Sequence, residues 1–469
     1  MLGRGYREFS QHFPEPGWVE HDPEEILRVS LEAAHDAIRQ AKERPAGIGI
    51  TNQRETIVLW DRRTLAPVAP GIVWQDRRTA ERCRRLREEG REAWIRERTG
   101  LVLDPYFSAT KIEWLLQDPL LRRRAERGEL AAGTIDSWLI ARLSNGAAHV
   151  TDHTNASRTM LYGLAARTWD DDLLQLFGVP RGLMPEIVFS SGVAAETDAA
   201  YFGARLPIAG IAGDQQAALF GQGCVRSGLA KNTYGTGAFL LAYAGDRRPK
   251  SLHGMLATVA CGPHGEPAFA LEGSVFIAGA AIQWLRDGLQ LISSAPETEA
   301  IAWSVPDTGG VHFVPAFVGL GAPYWEPEAR GTLVGLTRGT TRAHIVRATL
   351  ESIAHSSADL IEAMSMDVGA PVNVLRVDGG VAANHWLMQF QADILGAPVE
   401  RPEVVETTAL GAAGLAGIAL GVWPTLDDFL GPRRLTRFEP RMAESERAIL
   451  RAGWKRAIDA TLHWAGKYR

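Results

Sequence analysis

The sequence predicts an α/β protein of two large domains, and three observations carry that expectation. At 469 residues the chain is too long for one hydrophobic core. Short β-rich runs alternate with longer amphipathic segments, the pattern of strands covered by helices. No repeat with a period of 20–50 residues is visible, which sets aside solenoids and propellers.

The elements follow in order. Residues 24–41 read as a helix, because Ile26, Val29, Ala33, Ala37 and Ile38 recur at three- and four-residue spacing. Residues 46–51 and 56–60 read as strands around a polar turn. In the second half, residues 206–212 form a strand ending at Gly213-Asp214, with an apolar helix start at 217–220. Residues 232–236 and 239–243 are strands around a Gly-Thr-Gly turn. A long helix spans about 343–366, a strand at 373–377 enters Asp378-Gly379-Gly380, and residues 410–420 make a small-residue helix suited to close packing. The domain boundary is expected near residue 222, giving domains at 1–221 and 222–469.

Composition bounds the function. Hydrophobic residues make up 46% and charged residues 22%, ordinary for a soluble globular protein. A net charge of -5 offers no basic excess for nucleic acid. The stretches 82–87 and 122–127 are basic but mixed with Glu, and read as solvated helix faces. Cys83, Cys224 and Cys261 are widely spaced and form no CxxC, which fits free thiols in a reducing cytoplasm; Cys224 reads as a small core residue. The first residues carry no apolar signal region, and no run reaches the ~18 apolar residues of a membrane span. A cytoplasmic protein with no membrane insertion is expected.

Four constellations could carry chemistry. Arg54 and Glu55 sit side by side in the turn after Gly47-Ile-Gly-Ile; a guanidinium and a carboxylate together donate to and accept from a vicinal diol. A surface ion pair is the plainer alternative. Trp74 and Tyr106 offer aromatic walls for the C–H face of a polyol, or simple core packing. Asp214, followed by Gln215, stands where a carboxylate can take a proton from an attacking hydroxyl, or merely cap a helix. The glycine turns at 235–237, 279 and 379–380 let backbone approach a phosphate or purine. Neither GxxxxGK[ST] nor GxGxxG occurs.

Taken together, several long segments resemble one family. They are Pro16-Gly-Trp-Val-Glu-His-Asp-Pro23, Ile50-Thr-Asn-Gln-Arg-Glu-Thr56, Asp104-Pro-Tyr-Phe-Ser108 and Asp152-His-Thr-Asn-Ala-Ser-Arg-Thr-Met160. Gly210-Ile-Ala-Gly-Asp-Gln-Gln-Ala-Ala-Leu-Phe-Gly221, Lys231-Asn-Thr-Tyr-Gly-Thr-Gly237, Pro315-Ala-Phe-Val-Gly-Leu-Gly-Ala-Pro-Tyr-Trp325 and Val377-Asp-Gly-Gly380 continue the series. Two signature stretches lie at 106–118 and 331–351. The chain resembles the FGGY family of carbohydrate kinases, and within it the members acting on glycerol.

The resemblance implies two actin-like (ribonuclease H-like) domains with ATP and polyol in a cleft between them. It implies phosphorylation of glycerol to sn-glycerol 3-phosphate by ATP with Mg²⁺, whose protein ligands stay unassigned. Arg54, Glu55, Tyr106, Asp214 and Gln215 fall on glycerol-contacting positions, with Trp74 and Phe239 as the apolar wall and Asp214 as general base. Thr236, Gly279, Gln283, Gly380 and Asn384 fall on nucleotide positions. A homodimer or homotetramer is implied by the family alone.

One departure stands out. Family members begin with a strand hairpin carrying an Asp-x-Gly-Thr-Thr-Ser turn that cradles phosphate and helps hold Mg²⁺. Here the likeness begins after it, near Tyr6, and Arg338-Gly-Thr-Thr-Arg342 lacks the Asp. The expectation is a first domain truncated at its N-terminus by a misplaced start, with phosphoryl transfer impaired. A non-catalytic glycerol-binding regulator and a pentose or pentitol kinase are the alternatives. Tyr201-Phe202-Gly-Ala-Arg205 lacks the His that some relatives phosphorylate, and Arg205 reads as a surface charge.

Overall fold

The helix Pro23–Ala41 shows how local signals become structure. Asp22 caps it by accepting from the Glu24 amide at 2.9 Å, Pro23 occupies the first turn, and Lys42 closes it with φ +56°. Its buried face places Ile26 in one apolar cluster with Val58, Trp60, Ile135 and Trp138. The next residue, Leu27, enters a second cluster with Ile50, Ile140, Ile208 and Ile211. One helix therefore serves the cores beneath two sheets.

The computed structural model describes residues 1–404 and 406–466. It divides into two compact units. The first comprises residues 1–223, 257–269 and 408–431, and the second residues 224–256, 270–407 and 432–469, so neither is one continuous stretch.

In the first unit, strand Pro207–Gly213 lies between Ser191–Glu196, antiparallel to it, and Ile48–Asn52, parallel to it. A four-stranded sheet has the order Glu20–His21, Gly71–Ile72, Ile57–Asp61, Leu130–Thr134, all antiparallel. The two strands expected around the polar turn exist, at 48–52 and 57–61, but they do not pair with each other. The turn carries the chain from one sheet to the other instead of closing a hairpin. Periodicity locates strands and says nothing about partners.

In the second unit, a seven-stranded sheet runs Leu256–Cys261, Pro267–Val275, Ala238–Gly245, Leu229–Tyr234, Val374–Asp378, Val399–Pro402, Leu435–Phe438. Residues 257–269, which take in its edge strand from Ala257 on and the first residues of the next, are counted with the first unit. Strands 229–234 and 238–245, expected on either side of the glycine turn, pair antiparallel. Strand 229–234 is also parallel to 374–378, a pairing that needs a long crossover, and helix Arg342–Val368 lies within that connection.

The small-residue helix is Thr407–Ala419. Its glycines permit backbone contact within the first unit: a Cβ on Gly411 would fall 1.8 Å from the Ala217 carbonyl oxygen. On the facing strand, a Cβ on Gly49 would fall 2.2 Å from the Ala412 oxygen. The basic stretches are laced with carboxylates: Arg84 meets Glu81 at 2.6 Å on helix Ala80–Glu88, and Arg127, just past helix Pro119–Glu126, meets Glu129 at 2.6 Å. All three cysteines are free and buried. Arg205 is exposed, 3.8 Å from Glu196.

Because the three atoms nearest a Cβ on Gly49 are all backbone of Ala412 and Ala413, Gly49→Ala must move the helix. A loss of about 1–3 kcal/mol is expected in urea unfolding. Gly182→Ala, where an added Cβ meets nothing within 4 Å, is the control and should leave the midpoint unchanged.

Candidate active site

Register builds the first half of the site. Strands 48–52 and 207–213 run parallel and end level, with Gly213 paired to Asn52. Ligands of open α/β sheets collect beyond such carboxyl ends. The residues that follow are Gln53-Arg54-Glu55 on one strand and Asp214-Gln215 on the other. The Arg54 Nε lies 3.3 Å from Asp214 Oδ1 and 3.8 Å from Glu55 Oε1. The side chains of Arg54 and Glu55 are each 2% exposed, so the surface ion pair is excluded, whereas Asp214 is 35% exposed. Gly213 makes room for the arginine: a Cβ there would sit 2.6 Å from Arg54 Cγ.

The backbone at Glu55 is tightly turned. Its φ is +63°, and the Thr56 amide donates to the Arg54 carbonyl at 2.7 Å, a three-residue turn that a non-glycine residue adopts at a cost. Ser108 Oγ donates to the Glu55 carbonyl at 3.0 Å and holds it there. Strain retained in a buried, over-determined loop is the mark of a positioned group.

The aromatic pair is also present. Trp74 and Tyr106 are half-buried and meet edge to face, with centroids 5.5 Å apart. Trp74 is fixed through its amide, which donates to Thr56 Oγ1 at 3.2 Å. Asp214 is not the helix cap: Gly213 occupies that position, Asp214 is the first residue of helix Asp214–Gly221, and its Oδ1 accepts from the Gln215 amide.

Sequence reasoning missed three side chains here. Arg158 Nε donates to Glu55 Oε1 at 2.6 Å. Gln216 Oε1 accepts from Arg54 Nη1 at 3.1 Å. Lys111 is buried, donating to the Tyr106 and Phe107 carbonyls at 2.6 and 3.3 Å. Burial brings its pKa down to about 8, against the opposing pull of Glu55, Asp76 and Asp104. Arg158 and Gln216 lie inside the motif segments, so their position was legible although their partners were not.

A polar network underlies the strand ends. The Asn52 and Asn155 amides exchange hydrogen bonds at 3.0 and 3.1 Å, Asn155 donates to Asp152, and Thr154 Oγ1 accepts from the Gly213 amide at 2.9 Å. Asp136 accepts from Thr134 and, at 2.7 Å, from Thr151. Burial, then the charge of Asp152, pushes the Asp136 pKa up to about 7.

The second unit repeats the strand-end arrangement. Strands 229–234 and 374–378 are parallel with Thr233 paired to Asp378, and each ends in a glycine turn. Around those turns lies a cavity of about 370 Å³ lined by Thr236, Gly279, Gln283, Gly380 and Asn384, with Arg286 and Glu299 also on its wall. The five residues predicted for the nucleotide thus share one pocket. The Thr236 carbonyl accepts from the Ala278 and Ala280 amides at 2.8 and 3.0 Å, tying the first turn to helix Gly279–Asp287. A Cβ on Gly279 would meet the Gly235 oxygen at 2.5 Å, and one on Gly379 (φ +87°) the Tyr234 oxygen at 2.3 Å. Gly380, by contrast, has nothing within 4 Å of such a Cβ and faces open space. Asn384 caps helix His385–Leu395 and donates to Thr298 Oγ1 at 3.1 Å. Phe239, expected beside Trp74, lies in this unit on strand 238–245, paired with Thr233.

The N-terminal domain model of the FGGY family of carbohydrate kinases matches residues 1–221, and the C-terminal domain model residues 230–420. The chain belongs to this family. Its two-domain actin-like fold is therefore the one the sequence implied. It is 55% identical to glycerol kinase 2 of Thermotoga maritima over 99% of this chain and 95% of that one. To the glycerol kinase of Dechloromonas aromatica it is 56% identical, over 99% and 93%. Among solved structures, the glycerol kinase of Plasmodium falciparum with ADP matches with a TM-score of 0.93 at 36% identity, covering 97% of this chain and 92% of that one.

The Asp136 shift fixes a sign. Its carboxyl keeps a proton in the folded state that the unfolded chain has already released, so this contribution is whole below 3.8 and lost as pH rises through about 7. Asp136→Asn should flatten the fall in melting temperature across that window relative to the wild type. Parallel curves for the two proteins would refute the assignment.

Proposed function

We propose that this FGGY kinase transfers the terminal phosphoryl group of ATP to glycerol, giving ADP and sn-glycerol 3-phosphate. The carrying observation is the convergence of Arg54, Glu55 and Asp214 at one pair of strand ends beside Trp74 and Tyr106. The names of its relatives at 55–56% identity support the same reading.

The residues divide the work by chemistry. Arg54 donates to one hydroxyl of the diol and Glu55 accepts from its neighbour. Tyr106 and Gln215 orient the remaining oxygen, and the Trp74 ring covers the carbon face. Asp214 takes the proton as the O–H bond of the terminal hydroxyl breaks, the new O–P bond forms and ADP departs with the old bonding pair. Transfer through a loose transition state asks for alignment and charge stabilisation more than for covalent help. Residues 236, 279, 283, 380 and 384 hold the nucleotide, glycines where backbone must lie close and Asn384 at a fixed helix start.

Mg²⁺ belongs to this reading as an ion arriving on the ATP phosphates, whose charge it neutralises. Among the described residues no group of three His, Cys, Asp or Glu side chains forms a cage for it. An ion with phosphate and water ligands needs no such cage. Domains at 1–221 and 222–469, a homodimer or homotetramer, and a cytoplasmic location complete the reading. Among the described residues no helix is long and apolar enough to cross a membrane.

Coupled-enzyme turnover with glycerol tests the proposal, and a higher kcat/KM for xylulose or ribulose would overturn the choice of substrate. Asp214→Asn should lower kcat by about 10²–10⁴-fold with ADP affinity retained. Gly380→Val should weaken ADP binding and leave glycerol affinity unchanged, as measured by calorimetric titration.

A further inference from the structure

Four charges of alternating sign follow one another in the first unit: Arg158, Glu55, Arg54, Asp214. Their separations are 2.6, 3.8 and 3.3 Å. The series starts at a fully buried guanidinium and ends at the partly exposed carboxylate. Arg158 lies deepest, its guanidinium 5.7 Å from the Tyr106 ring and 5.2 Å from that of Phe107. An arginine there stays charged at any working pH. Burying such a pair is a poor way to gain stability, since apolar side chains of the same volume do as well or better.

We propose that Arg158 is a positioning residue for the polyol site, holding the Glu55 carboxylate in place and so leaving Arg54 turned toward Asp214. Two carboxylates compete for the Arg54 guanidinium, and it stands closer to Asp214 than to Glu55. Arg158 decides that competition by engaging Glu55 at the shorter distance. Without it, a buried carboxylate would close on the nearest cation, Arg54, and draw it off Asp214. The diol would then meet a collapsed ion pair instead of a separate donor and acceptor. The backbone of Glu55 is fixed, left-handed and held by Ser108, and Arg158 engages its side chain at 2.6 Å. The inference rests on the proposed role of Arg54 and Glu55 in binding glycerol.

Calorimetric titration of glycerol, and separately of ADP, into the full chain tests it. A wild type that neither binds nor phosphorylates glycerol overturns the proposed function, and this inference with it, before any variant is made. Given a wild type that binds, Arg158→Lys should weaken glycerol by about 10- to 100-fold, the value of a charge-assisted bond, and leave ADP affinity unchanged. Equal losses for both ligands, or none for glycerol, refute positioning. In a double-mutant cycle, Arg158→Lys should add almost nothing to Glu55→Gln; additive losses also refute it. Should the Lys variant fail to fold, the Glu55→Gln/Arg158→Gln pair leaves neither of these charges alone in the core. It must then bind glycerol as Glu55→Gln does, and a further loss overturns the proposal.

Discussion

Two parallel strands that end level bring the candidate residues of each unit together. Parallel pairing points both carboxyl ends the same way, so the residues that leave the sheet leave it together. In the first unit the pair is Asn52 with Gly213, and an arginine, a glutamate and an aspartate separated by some 160 positions come within bonding range. In the second the pair is Thr233 with Asp378, and two glycine turns meet around a cavity. A slip of one residue would reverse the faces of every side chain that follows.

From these matching starts the units diverge in what they present. The first presents charge, buried and paired, with Arg158, Glu55, Arg54 and Asp214 in series. Its groups are therefore fastened from behind: Ser108 on the Glu55 carbonyl, Thr56 on the Trp74 amide, Gln216 on Arg54. The second presents mainly backbone and small side chains. Gly279 and Gly379 exist there because any Cβ would strike a carbonyl oxygen, and Gly380 because its missing Cβ leaves the cavity open.

Much of this was legible. Helix 23–41 announces itself by Asp22, Pro23 and a three-to-four periodicity, all local properties of the chain. Strands 48–52, 57–61, 229–234 and 374–378 appear where apolar runs meet turn residues. What could not be read was pairing. The strands at 48–52 and 57–61 look like a hairpin and belong to different sheets, because hydrogen-bond partners are chosen by the whole core. For the same reason Asp214 reads as a cap until Gly213 is found in that place.

The sequence by itself determined the layer architecture, the family and the identity of the polyol and nucleotide candidates, since these rest on local periodicity and on ordered motifs. Tertiary structure alone decided that Arg54 and Glu55 are buried, that Arg158 stands behind them, and that the five nucleotide residues enclose one cavity. Burial and electrostatic pairing depend on atoms brought close by distant segments of chain, and spacing along the chain carries no measure of that distance.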